Sequence, residues 1–379
     1  MRILFLTKID FSIPATGGLF RKVRAQADAL ARRDGWEVDL FFIHGLEAVL
    51  ERHDGQVIRI PFASGLKRAM FTNSGLFRLI RNNGYQSLYI RHFLLNPVFA
   101  IQLIWWKLRR GQRKILLELP TFPYGPEFRD DPWIVRMQVA LDRWTFGLLP
   151  FCIDRIVTFS GLSRIRGIQT IVTDNGVDPQ SLSPIPEVPP SPPFRILGLA
   201  NLNIWHGYDR IIRGLADFRD KGGEGDIRFE IAGTGKEEQN LRDLVSRLHL
   251  DDQVFFHGFL TGASLDQLIA SCHVGAASLG MHRTGVAEGQ TTTLKAREFA
   301  ARGLPFILGY SDRDFTRDYP FCLVVPANEE AIDPIALQSF FQQLVTAHPR
   351  YMEDMRKDAS RRLSWDAKLA PAISFLDQN

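Results

Sequence analysis

Cysteine is scarce in this chain: three among 379 residues, at positions 152, 272 and 322. An odd, widely spaced set offers neither a disulfide framework nor zinc-ligand spacing, and it suits a reducing cytoplasm. Long apolar runs are also missing. The longest, Leu94 to Trp106, is broken by Asn96, Pro97 and Gln102 and falls short of the roughly 20 residues that span a bilayer. The opening run, Met1 to Thr7, is too short for a signal peptide and reads as a buried strand. Gly-x-Ser-x-Gly and His-Glu-x-x-His do not occur, which argues against the usual serine hydrolase and zinc protease. No helix-turn-helix and no aromatic-basic stripe is present, so no nucleic-acid partner is expected.

The 46 basic and 42 acidic side chains nearly cancel, leaving a net of +4, but the excess is unevenly placed. Residues 1–186 carry +9 and the remainder −5. A basic first half suggests an anionic partner such as a membrane surface or a phosphorylated acceptor; solvated surface charge is the plain alternative. Trp105-Trp106-Lys107, with Arg109, Arg110, Arg113 and Lys114 behind it, suits a membrane interface, and equally a core helix with a basic end.

What is abundant is order. Apolar strand-like runs alternate with helical patterns on both sides of residues 179–194, which hold seven prolines. Proline removes backbone donors and favours extended chain, so that stretch reads as a semi-rigid linker. Domains are expected at 1–178 and 194–346, with 179–193 between them and a helical segment, 347–379, after them. The alternation implies an α/β protein with two doubly wound, Rossmann-like parallel-sheet domains facing across a cleft. Ser264-x-x-Gln267 reads as a capping box. In such sheets ligands bind beyond the C-terminal strand ends.

The densest motif is Glu288-Gly-Gln-Thr-Thr-Thr-Leu-Lys-Ala-Arg-Glu-Phe-Ala-Ala-Arg-Gly-Leu-Pro305. It reads as a loop, a helix opened near Thr291 to Thr293, and a Gly-x-Pro exit into a strand. A helix start presents unpaired N–H groups and can hold a phosphate. Lys295 and Glu298, three apart, share a face, so a cation beside a diphosphate and a carboxylate beside a ribose diol would make a nucleotide-diphosphate site. A surface ion pair is the plain alternative. Gly17 and Gly18 follow the first strand and open a helix, where a backbone can approach a ligand closely. Gly233-Thr-Gly235 ends another strand, but Glu238 stands where a dinucleotide fingerprint needs a third glycine, and no P-loop is present.

The pattern Leu-Lys-x-x-Glu-Phe-x-Ala-x-Gly-x-Pro resembles the donor-site helix of family 4 glycosyltransferases, retaining enzymes of the GT-B fold. Trp205-His-Gly-Tyr-Asp-Arg210 resembles a branch found in bacterial surface-polysaccharide clusters. The resemblance covers essentially the whole chain and is most specific at 292–305. It implies a metal-independent, hexosyltransferase-type enzyme that moves a sugar from a nucleotide-diphosphate donor to a saccharide or lipid-linked saccharide acceptor, with retention. No cofactor is implied beyond the sugar nucleotide as co-substrate. The implied location is cytoplasmic, with peripheral contact to the inner face of an anionic membrane.

By the same resemblance Lys295, the N–H groups near Thr292, Thr293 and Leu294, and Gly17, Gly18, Gly207, Gly233, Gly235 and Gly258 line the donor site, and Glu298 fixes the ribose. Family members carry an Arg and a Lys where this chain has Asn201 and His206. Neither is a fixed cation, although a histidine with its usual pKa of about 6.5 can charge near a diphosphate. His282 and Arg283 are candidate replacements. The first of two paired glutamates falls on Gln290, with Glu288 two residues out of register. Glu118, in a Pro-rich loop, is a candidate to orient or deprotonate an acceptor hydroxyl, with Tyr124 and Glu127 as acceptor contacts. Asp312-Arg-Asp314 imitates a metal motif of another transferase fold, and no catalytic metal is expected. Alternatives are a sugar-nucleotide epimerase of the same fold, and a non-catalytic nucleotide-sugar-binding subunit.

Overall fold

A computed structural model describes residues 1–13, 16–109, 112–124, 128, 132–186, 191–285 and 292–378. The chain forms two compact units. One comprises Met1–Asp174 with Trp365–Asn379, the other Asn175–Ser364.

The first unit begins with β1 (Arg2–Asp10), whose residues Ile3 to Leu6 are wholly buried. A continuous apolar run suits a strand covered on both faces. α1 (Gly17–Ala31) carries the chain back to β2 (Glu37–His44), which pairs parallel to β1. β3 (Glu47–Glu51) and β4 (Val57–Pro61) extend the edge antiparallel. α2 (Gly65–Asn82), β5 (Ser87–Arg91), α3 (Pro97–Leu108), β6 (Lys114–Glu118), α4 (Trp133–Thr145), β7 (Arg155–Thr158), β8 (Arg164–Ile165) and β9 (Ile168–Val172) follow. The sheet order is β4-β3-β2-β1-β5-β6-β7-β9-β8. Its order reverses between β1 and β5, and the loop leading to Gly17 leaves β1 at that point.

The second unit has a six-stranded parallel sheet. Its elements are β10 (Phe194–Leu199), α5 (Tyr208–Asp220), β11 (Ile227–Ala232), α6 (Glu238–Arg247), β12 (Val254–Gly258), α7 (Gly262–Ala270), β13 (Val274–Ala276), α8 (Leu294–Arg302), β14 (Phe306–Leu308), β15 (Cys322–Val324), α9 (Pro334–Ala347) and α10 (Tyr351–Asp358). The order is β12-β11-β10-β13-β14-β15, so the switch lies between β10 and β13. α8 lays Phe299 over β13 so closely that a Cβ at Gly275 would fall 2.7 Å from its ring. The helix ends at Gly303, in the left-handed region at φ 85°, where its N–H meets the Ala300 and Phe299 carbonyls. After a π-helical turn, Ala359–Leu363, the last helix α11 (Trp365–Asp377) packs on α1 in the first unit.

Three details differ from the sequence reading. The Pro-rich stretch, expected as a semi-rigid linker between the domains, belongs to the second unit where it is described. Ile185 belongs to the second core and donates its N–H to the Arg302 carbonyl, while the Arg302 guanidinium binds the Ser183 carbonyl and Asp266. The chain returns to the first unit at Trp365, not at 347. α7 starts at Gly262 with Thr261 as its cap residue, so Ser264 lies inside the helix and no capping box forms there. No helix among the described residues is long and apolar enough to cross a membrane.

Candidate functional site

In the second unit two loops leave the carboxyl ends of the central strands β10 and β13, the switch point where open α/β sheets bind ligands. The first loop, Ala200 to Gly207, closes in a 3-10 turn, Ile204–His206. Asn203 and His206 cap that turn reciprocally, and the Asn203 N–H donates to His206 Nδ1 at 3.0 Å. Nδ1 is therefore the acceptor, and the ring's proton sits on Nε2. Burial, with the charge of Lys295 added, pushes the His206 pKa down to about 2. His206 is a neutral Nε2–H donor, not the cation that would replace the missing lysine. Asn201 is exposed, and its backbone carbonyl accepts from the Asn203 side-chain amide.

The second loop crosses the first in close contact. Leu279 and Gly280 donate their N–H groups to the carbonyls of His206 and Trp205, at 3.0 and 3.1 Å. A Cβ on Gly207 would lie 2.6 Å from the Gly280 nitrogen, and the residue sits at φ 62°. Gly233, at φ 122°, presses on the Ala200 carbonyl and Gly235 on the Leu202 carbonyl, where a Cβ would come within 1.8 and 2.3 Å. Backbone crowding within the loops already requires all three glycines. Gly258 has a positive φ of 66° with open space beside it. At Gly17 and Gly18, in the first unit, a Cβ would also meet nothing within 4 Å, so packing does not demand glycine there.

α8 opens at this switch point. Thr292 is buried and held by Asn175, whose Nδ2 donates to its carbonyl at 2.7 Å. The Thr293 hydroxyl engages the Tyr310 hydroxyl at 2.8 Å and makes no capping bond. As at any helix start, the N–H groups of Leu294, Lys295 and Ala296 have no intrahelical carbonyl. Glu298 is half-buried one turn on. The Lys295 side chain is half-buried too, but its Nζ is shielded from solvent and has no hydrogen-bond partner among the described residues. It lies 5.8 Å from the centroid of the Tyr208 ring. Burial pushes its pKa down to about 7, against the opposing pull of Glu298. An unpaired buried ammonium is costly, and an incoming anion relieves that cost. The Ser278 hydroxyl, at the end of β13, is a second buried polar group with no partner among the described residues.

The helix is braced from behind. The wholly buried Arg297 forks onto Asp312 at 2.5 and 2.7 Å and reaches Asp314 at 2.5 Å, while the Tyr310 hydroxyl ties Asp312 to Thr293. The Asp-Arg-Asp motif thus serves an arginine. Sequence reasoning missed Tyr208, Tyr310, Ser278, Asn175 and Arg297. Arg297 and Tyr208 lay inside quoted motifs and Ser278 a few residues ahead of His282 and Arg283, whereas Asn175 lies more than a hundred residues from its partner in sequence.

Other candidates are not open to a ligand. Arg283 is clasped by Asp209 at 2.8 and 2.9 Å and by Glu329, which hold it as a firm cation already matched by two carboxylates. His282 Nε2 also lies against Glu329, at 2.6 Å. Neither supplies a spare positive charge. Glu118, proposed as an acceptor-side base, is wholly buried and engaged by Gln26, Tyr89, Arg91 and Lys22. Tyr124, proposed as an acceptor contact, is a core residue whose hydroxyl binds buried Asp142. Glu127, Glu288 and Gln290 lie outside the described residues.

The fold has many solved likenesses. Sucrose-phosphate synthase from Thermosynechococcus elongatus shares 17% identity over 100% of this chain and 98% of its own, with a TM-score of 0.62. HepE from Anabaena, solved in complex with UDP, shares 16% over 99% and 100%, with a TM-score of 0.60. The lipopolysaccharide outer core galactosyltransferase WaaB shares 14% over 99% of each chain, with a TM-score of 0.55. These likenesses place the chain in the two-domain α/β fold of GT-B glycosyltransferases. No curated protein sequence matches. Residues 184–307, from within the Pro-rich stretch through the whole of α8, match the model of the family Glycosyl transferases group 1.

Proposed function

We propose that this chain is a retaining glycosyltransferase that moves a hexosyl group from a nucleotide-diphosphate sugar to a saccharide or lipid-linked saccharide, in surface-polysaccharide biosynthesis. The observation that carries the reading is the buried Lys295 Nζ, without a hydrogen-bond partner among the described residues, beside the first turn of α8. It is supported by the family match over 184–307 and by neighbours solved with UDP and UDP-glucose. In the reaction the bond from the anomeric carbon to the diphosphate breaks, and the acceptor oxygen bonds that carbon on the same face. The acceptor proton passes to the departing diphosphate, so no protein nucleophile and no metal is assigned. The transition state spreads positive charge on the sugar and negative charge on the diphosphate. Lys295, the N–H groups of Leu294 to Ala296 and the Nε2–H of His206 meet the negative charge. Glu298 accepts from the ribose hydroxyls.

A second reading has one observation in its favour. With Arg283 matched by carboxylates and His206 neutral, Lys295 is the one cation of this site among the described residues whose charged atom is buried without a hydrogen-bond partner. A non-catalytic nucleotide-sugar-binding subunit would need no more. The two separate in a turnover assay over a panel of nucleotide sugars. Release of nucleoside diphosphate that rises when an acceptor saccharide is added supports the enzyme. Tight binding with no release, alone or with acceptor, supports the subunit.

A further inference from the structure

The sequence suggests a membrane contact at the end of α3, but the structure engages those groups otherwise. Trp106 is wholly buried, Lys107 pairs with Asp154 at 2.6 Å, and Arg113 stacks over Trp106. The exposed apolar surface lies next door, on α4. Trp133 and Trp144 are 69% and 66% exposed, and Ile134, Met137 and Leu141 are exposed between them. These positions recur at helical spacing and form a single stripe about 16 Å long. The opposite face, with Val139 and Thr145, is buried.

Charge on this helix is one-sided. Arg136 and Arg143 are exposed and have no ion-pair partner among the described residues. The sole acid of α4, Asp142, is buried and accepts from Tyr124 and from the Leu95 N–H at 2.7 Å. α3, which packs against α4, exposes Val98, Ile101 and Leu108, and Arg109 lies over its Trp105. Phe151, just past α4, is exposed as well.

We propose that the outer face of α4, with the adjoining residues of α3, seats the first unit on an anionic lipid bilayer. Tryptophans at both ends of an apolar stripe, flanked by arginines, match the headgroup–acyl boundary, where an amphipathic helix lies flat. A second copy of the chain fits less well. Pairing α4 with α4 would bring arginines together with no exposed carboxylate on the helix to answer them, whereas an anionic surface answers every one. Asp130 and Asp131 precede the helix and lie outside the described residues.

The test is co-sedimentation of the full chain with vesicles of phosphatidylcholine mixed with phosphatidylglycerol, and of phosphatidylcholine alone. Selective binding to the mixed vesicles, weakened by salt, is expected. Arg136→Gln with Arg143→Gln should lower partitioning about 30-fold, from the usual contribution of two basic residues at such a surface. Trp133→Ser with Trp144→Ser should also lose binding while keeping the charge. All four side chains are exposed, so thermal melting should stay at the wild-type value. Equal binding to both vesicles, no binding to either, or wild-type binding by both folded variants overturns the proposal. So does a dimer that Met137→Glu dissociates, if wild type ignores vesicles. Nucleotide binding takes no part in this readout, so the result stands apart from the transferase reading.

Discussion

At the scale of single residues, Lys295 sets binding against stability. An unfolded chain holds this lysine near its ordinary pKa of about 10.4, while the folded chain pushes it down to about 7. Between those values the unfolded state binds more protons, so stability rises with pH across the window and the full burial penalty is present below pH 7. Lys295→Met removes the penalty and should raise the melting temperature at pH 6 by about 2–4 °C per kcal/mol recovered. The same substitution should weaken nucleotide-diphosphate binding roughly tenfold or more, the worth of one charge-assisted hydrogen bond. Because the anion favours the protonated lysine, wild-type affinity should fall as pH rises through 7, and calorimetry at pH 6 and 8.5 reads this directly. Lys295 and Glu298 could be named from sequence because their spacing puts them on one face. The state of His206 could not, because its tautomer depends on the Asn203 N–H and its charge first on burial and then on the neighbouring Lys295. Arg283 looked like a spare cation for a similar reason: Glu329, its partner, lies 46 residues away.

At the scale of elements, α8 is held from two sides. Phe299 fills the core over Gly275, and Arg297 fixes Asp312 and Asp314 beneath Thr293. Arg297→Ala leaves two carboxylates without their counterion and should cost about 3–5 kcal/mol in urea unfolding. A loss below about 1 kcal/mol would show that the network does not brace the helix. The helices and central strands were legible because their apolar periods are long and regular. β3 leaves no comparable signal: it is only five residues, set antiparallel to β2 after a turn at Gly45. The capping box at Ser264 shows the converse: local pattern matched, but Thr261 and Gly262 start the helix a turn earlier.

At the scale of the whole molecule, sequence composition marked a proline-rich break but not which unit holds it. Asp266, Ser183 and Arg302 bind the stretch around Ile185 to the second unit, a set of contacts with no local signature. The charge imbalance was visible as a sum. Its apolar counterpart on α4 emerged only once folding had buried Asp142 and left Trp133 and Trp144 outside. The central claim concerns one site in the second unit, and a single titration tests it most directly. UDP, GDP, ADP and dTDP are titrated against wild type, Lys295→Met and Glu298→Ala at pH 6. The account predicts that wild type binds one nucleotide selectively and that both folded variants lose that binding. A folded wild type that binds none of them, or a Lys295→Met variant that binds as wild type does, would contradict it.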